Sequence, residues 1–147
     1  MIWVKFSFQD YISIKIHKTD LNLTNFVKAK LEPYNLAPEQ NLIMMLLWEK
    51  DGLSQLQLVE TLNKDKTNIA RMASNLEKKG FITRTNCLHD RRSVRLYLTE
   101  KGQELGEKVV PIAEDFNEVV CRGISEEELL QMERLLAKIN QNVQKLL

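Results

Sequence analysis

Near the end of the chain, Leu129, Met132, Leu136, Ile139, Val143 and Leu146 recur at steps of 3, 4, 3, 4 and 3. This is the a/d seam of a heptad pattern and predicts a long helix. Ser125 with Glu128 three residues on supplies a capping box for its start. Leu130, Leu135 and Leu147 widen the apolar stripe. A terminal helix with that much apolar surface calls for a partner, either a two-fold copy of itself or other helices of the same chain. Upstream, Leu105, Val109, Ile112, Phe116 and Val120 keep helical intervals over residues 99–121. Pro111 falls inside that run and is expected to bend it, because proline lacks a backbone donor. Gly123 separates the two helices. The N-terminal third is ambiguous. Ile2, Val4, Phe6, Phe8, Ile12, Ile14 and Ile16 alternate as a half-buried strand would, while Phe8, Ile12, Ile16, Leu23 and Val27 keep helical intervals up to Pro33. Pro38 and Glu39 then open a helix that carries Leu42–Trp48 and stops at Asp51–Gly52.

The middle of the chain alternates faster. Ser54 can cap a short helix to about Leu62, with Leu56, Val59 and Leu62 inward. After a turn at Asn63–Lys64, Asp65 can cap a second helix over 65–79 that buries Ile69, Met72, Ala73 and Leu76 and closes at Gly80. Two short helices joined by a tight turn form a helix-turn-helix. The exposed face of the second presents Lys66, Thr67, Asn68 and Arg71 near its N-terminus, the end that enters a major groove. Asparagine pairs with adenine, arginine with guanine, and threonine with a thymine methyl or a phosphate. Beyond Gly80, Phe81–Thr85 and the period-two set Val94, Leu96 and Leu98 flank a polar loop, which predicts a β-hairpin. Its tip carries Asp90, Arg91 and Arg92. An arginine there suits a narrow minor groove, and a neighbouring aspartate can hold the guanidinium in aim.

Charge sharpens this picture. The whole chain of 147 residues has a net charge of only +1. Residues 54–102 hold ten bases against five acids, a balance of +5, whereas residues 103–147 hold five against nine, a balance of −4. A basic centre on neutral and acidic flanks is what phosphate binding requires. The longest apolar run, Leu42–Trp48, is far short of the roughly 20 residues a membrane span needs, and no secretory signal is read at the N-terminus. Two cysteines, Cys87 and Cys121, lack metal-type spacing and suit a reducing cytoplasm.

Leu58–Leu62, Thr67–Arg71, Leu76-Glu77-Lys78-Lys79-Gly80-Phe81, and above all Asp90-Arg91-Arg92-Ser93 leading to Leu98-Thr99-Glu100-Lys101-Gly102 resemble the MarR family of bacterial winged-helix regulators. The resemblance implies a mainly α fold with a small β-hairpin wing and a homodimer built on N- and C-terminal helices. It divides the single MarR-type domain into dimerisation helices at 1–35 and 103–147 and a winged helix-turn-helix at 36–102. It also implies that residues 7–32 are helix. By position it assigns base reading to Thr67, Asn68 and Arg71, the minor groove to Arg92 with Asp90 as its orienter, and phosphate contacts to Ser54 and Lys66. Ala37 departs from the family's usual Ser or Thr before Pro-Glu, which weakens a cap by roughly 1 kcal/mol.

In function, the resemblance implies a regulator, expected to repress, that binds a near-palindromic duplex and is released by a small-molecule effector. A cleft between the dimer helices and the winged module would hold that effector, with Tyr11, His17, Tyr34 and Trp48 as candidate lining. A thiol switch at Cys87, beside Arg84, Arg91 and Arg92, is an alternative, as is a winged helix that binds protein in place of DNA. No metal or cofactor is expected: His17 and His89 lie in different elements without clustered ligands. Nor is an enzyme expected, for there is no phosphate loop, nucleophile elbow or His/Cys pair at a plausible spacing.

Overall fold

A computed structural model describes residues 7–87 and 90–147, and of residues 87 and 90–92 the backbone alone. In chain order the helices and strands are α1 (Ile12–Leu31), α2 (Pro38–Glu49), α3 (Gln55–Leu62), α4 (Lys66–Lys78), β1 (Ile82–Cys87), β2 (Asp90–Leu98), α5 (Glu100–Cys121) and α6 (Glu126–Gln144), with short 3-10 turns at Phe8–Asp10 and Glu32–Tyr34. The fold is mainly helical with one antiparallel hairpin, in which Ile82 pairs with Leu98 and Asn86 with Val94 before an irregularity at Asn86/Cys87.

Side chains begin three helices where the sequence asks for it. Ser54 Oγ accepts from the Gln57 N–H at 3.1 Å, and Gln57 Oε1 accepts from the Ser54 N–H at 2.8 Å. Asp65 Oδ1 accepts from the Asn68 N–H at 2.7 Å. Ser125 and Glu128 form the same reciprocal pair as Ser54 and Gln57, at 3.1 and 3.0 Å. Ala37 has no oxygen to offer, yet Gln40 Oε1 accepts from its N–H at 3.3 Å and so completes half of a box.

The ambiguity at the N-terminus resolves to helix, as the resemblance implied: α1 runs from Ile12 to Leu31 with no glycine or proline in it to interrupt propagation, after a separate 3-10 turn at Phe8–Asp10. Three isoleucines alternating over five residues do not outweigh that length. One expectation is corrected, in α3. Leu56 is exposed and Leu58 is fully buried, since Leu58, Val59 and Leu62 share a face and Leu56 lies about 200° around the helix from Leu58. Pro111 removes one backbone donor, but α5 is continuous from Glu100 to Cys121.

The chain forms two compact units, Met1–Ile112 and Ala113–Leu147. Within the first, one core collects Leu31, Leu36, Ile43, Met44, Leu47, Leu58, Ile69, Met72, Ala73, Leu76, Phe81, Ile82, Leu96, Leu105 and Val109. Every α2-to-α4 helix, both strands and the first turns of α5 therefore contribute to a single apolar interior. The second unit has no buried residue on α6: Met132, Leu136 and Val143 of the seam are exposed.

Candidate nucleic-acid interface

The turn between α3 and α4 is set by Asn63, whose left-handed φ of 54° asparagine tolerates better than most residues, and by Lys64 N–H donating to the Val59 carbonyl. It delivers the capping Asp65. From there α4 buries Ile69, Met72, Ala73 and Leu76. Its other face is left to solvent, with Lys66, Thr67 and Arg71 exposed and Asn68 partly so. Neither Lys66 nor Arg71 enters an ion pair among the described residues; the pairs there are Lys64 with Glu39 at 3.2 Å and Arg84 with Glu77 at 3.1 Å.

Behind that face the helix is braced at its far end. Lys79 Nζ donates to the Asn35 carbonyl at 2.8 Å and to Gln40 Oε1 at 2.7 Å, joining the end of α4 to the start of α2. Burial holds this ammonium below the usual lysine range. Glu77 accepts from the Arg84 backbone N–H at 2.9 Å and from its guanidinium at 3.1 and 3.3 Å, which fixes β1 to α4. Those bonds, the backbone one first, hold the Glu77 carboxyl below the usual carboxylate range.

The two sequence signatures at 76–81 and 98–102 meet one another. Thr99 N–H donates to the Phe81 carbonyl at 3.1 Å and Thr99 Oγ1 to the Gly80 carbonyl at 2.6 Å, while Lys101 Nζ donates to the Lys79 carbonyl at 2.8 Å. Gly102 sits so close to the Phe81 carbonyl oxygen that any Cβ would overlap it. Trp48 closes the joint by donating its indole N–H to the Gly102 carbonyl at 2.9 Å, with the ring against Gly106, where an added Cβ would stand 2.7 Å from Nε1. On the opposite edge, Leu96 N–H donates to the Leu53 carbonyl, Arg95 Nη1 to the Gly52 carbonyl, and Leu98 N–H to Asp51 Oδ1, each at 2.9 Å. The root of the hairpin is thus clamped from two sides.

The candidate residues separate accordingly. Lys66, Thr67, Asn68 and Arg71 share the first turns of α4. Ser54 is only 9% exposed, and its oxygen accepts the Gln57 N–H in the α3 cap. Asp90 and Arg92 lie on β2, but their side chains, like that of Cys87, are outside the described residues, as is His89. The four effector candidates are spread over several elements. Tyr11 precedes α1 and His17 is exposed on it; Tyr34 packs against the core; Trp48 is committed to Gly102. Among the described residues no cluster of three or more His, Cys, Asp or Glu could hold a metal ion, and no helix is long and apolar enough to cross a membrane. Sequence reasoning missed Lys79, Glu77, Arg84 and Trp48 as bracing groups. The one available signal was the pair of signatures themselves, whose spacing gave no hint that they touch.

Two helices joined by a tight turn and followed by a two-stranded hairpin define a winged helix-turn-helix. Residues 36–94 match the MarR family. The chain is similar to the crystal structure of the transcriptional regulator SlyA, with 28% identity and a TM-score of 0.81 over 91% of this chain and 94% of that one. It is similar also to a putative MarR family transcriptional regulator from Listeria monocytogenes complexed with 26mer DNA, at 28% identity and a TM-score of 0.80 over 91% and 89% of the two chains. The S. aureus MepR–DNA complex matches at 25% identity and a TM-score of 0.82 over 94% and 99%. A segment of the chain therefore resembles the MarR family, and over nine-tenths of its length the chain shares its fold with solved transcriptional regulators, one of them a putative MarR family member.

Proposed function

We propose that this protein is a DNA-binding transcriptional regulator, and not an enzyme, that works as a homodimer on a near-palindromic duplex. The observation that carries the reading is the exposed face Lys66, Thr67, Asn68 and Arg71 on the first turns of a helix whose other face and far end are fixed to the core. A rigid helix presenting such groups from its N-terminal end is what major-groove reading needs. Two similar folds crystallised with DNA support it.

Thr67, Asn68 and Arg71 read bases in this scheme and Lys66 contacts phosphate. The wing, residues 81–98, reaches the minor groove through Arg92, with Asp90 to aim it. Residues 36–102 are the reading head, and the N- and C-terminal helices hold two heads together. The exposed seam on α6 supports that second copy. A dimer seated on an operator denies that duplex to other proteins, which gives repression. A small molecule that alters the separation of the heads would relieve it, and Tyr11, His17 and Tyr34 remain the candidates to meet that effector.

Affinity for duplex DNA measured against salt tests the reading. Log affinity is expected to fall linearly with log salt, and Arg92→Ala to weaken binding. A salt-independent affinity, or no change with Arg92→Ala, contradicts it.

A further inference from the structure

Three polar residues at the start of α4 form one hydrogen-bonded chain. Asp65 uses both oxygens on a single neighbour: Oδ1 accepts from the Asn68 backbone N–H at 2.7 Å, and Oδ2 accepts from Asn68 Nδ2 at 3.1 Å. Asn68 Oδ1 in turn accepts from Arg71 Nη2 at 2.7 Å. Steps of three residues place all three on one helical face, the face left to solvent. In water the two ends of an asparagine amide are nearly interchangeable. Here they are not, because flipping Asn68 would set its oxygen against a carboxylate and its NH2 against a guanidinium.

The locked orientation leaves useful valences. Asn68 keeps one N–H and one lone pair beyond those spent on Asp65 and Arg71, the donor and acceptor that an adenine edge calls for. Arg71 keeps four of its five N–H groups, enough for the two acceptors of guanine. The cap alone does not explain the aspartate. Serine caps a helix about as well and would not repel phosphate. An aspartate is required when a second acceptor must hold the amide.

We propose that Asp65 is a positioning residue that sets DNA specificity. It touches no base; it fixes the Asn68 amide so that Asn68 and Arg71 read neighbouring operator positions as one coupled unit. This rests on the DNA reading proposed above.

The test uses two duplexes of equal length, one selected from a random pool by the full-length wild-type protein and one scrambled from it. Asp65→Ser keeps the capping oxygen and loses the second acceptor. It is expected to lose about tenfold in affinity for the selected duplex and nothing on the scrambled one, with helix content and Tm unchanged. Asp65→Asn, with one acceptor and one donor, should narrow the discrimination in the same way. The Asn68→Ala and Arg71→Ala losses should combine non-additively on the selected duplex. In the free protein, nuclear magnetic resonance should show the Asn68 side-chain amide signals moving in Asp65→Ser, which a capping role alone would not cause. Equal losses on both duplexes with a lowered Tm would reduce Asp65 to a cap and overturn the proposal. Undiminished discrimination in Asp65→Ser, or strict additivity, would do so too. Wild-type protein that binds no duplex would overturn the DNA reading itself, and is told apart from failure of the relay alone, in which wild type and Asp65→Ser bind and discriminate alike.

Discussion

The winged unit and the last helix are built from similar apolar side chains to opposite effect. In the first, Ile43, Leu58, Ile69, Leu76, Ile82 and Leu96 vanish into one interior, and lateral hydrogen bonds from Lys79, Thr99 and Trp48 tie the pieces around it. In the second, the seam of α6 has no interior to enter, and Leu130, Met132, Leu135 and Val143 are all about half exposed. One region is complete within a single chain; the other leaves an apolar stripe uncovered, which the proposed second copy would cover. Damage to the first should show as lost folding, damage to the second as lost assembly.

The largest expected effect tests the finished region. Gly102→Ala forces a methyl into the Phe81 carbonyl, a backbone contact that cannot yield easily, and should cost about 3 kcal/mol. Calorimetry would register it as a drop in Tm; an unchanged Tm would show the joint to be looser than its geometry. Next comes the unfinished region. Met132→Glu with Leu136→Lys puts charge into the α6 seam, and light scattering should find monomer at micromolar concentration with the winged unit's helices retained. Affinity for the selected duplex should then fall about a hundredfold through loss of the linked half-sites. If that variant stays dimeric, the seam is not the interface and the contrast between the regions collapses.

Smaller changes sharpen it. Trp48→Phe removes the bond to the Gly102 carbonyl and should cost about 1 kcal/mol, read as a lower urea midpoint with dimer mass unchanged. The smallest effect belongs to Glu77. Its folded carboxyl titrates below the usual range, so the stability it adds is present above the unfolded carboxylate value and is lost as pH falls through the folded value. Wild type should therefore exceed Glu77→Gln at pH 7, and the difference should close only once pH has fallen through the lowered folded value, below the ordinary carboxylate range. Both partners of the pair are partly exposed, so salt should shrink the gap.

What was legible in the sequence is what depends on neighbours along the chain. Ser54, Asp65 and Ser125 announced their helices, since a cap needs only the next three residues. The burial of Ile69, Met72, Ala73 and Leu76 agrees with their period. In α3, whose eight residues carry leucines on two faces, period alone chose Leu56 over Leu58. α1 was obscured because its isoleucines alternate at the end where helical intervals are weakest. The bracing set was not legible at all: Lys79 meets residues 44 and 39 positions away, and Trp48 one 54 away, and no local pattern encodes such bonds. Among the base-reading candidates, the spacing of Asp65, Asn68 and Arg71 was visible, but that each uses its neighbour's atoms was not.

The seat of Trp48 over Gly102 and Gly106 has a mechanical consequence. A bulky ring lodged between two residues without side chains leaves the root of α5 no room to slide or roll against α2. Thr99 and Lys101 pin the same root to the end of α4. The load path from α5 to α4 therefore contains no soft joint, and a push on the first turns of α5 is expected to turn the whole plate of α2, α4 and hairpin together. Under the proposed regulation, an effector would not need to touch the reading face to misalign it.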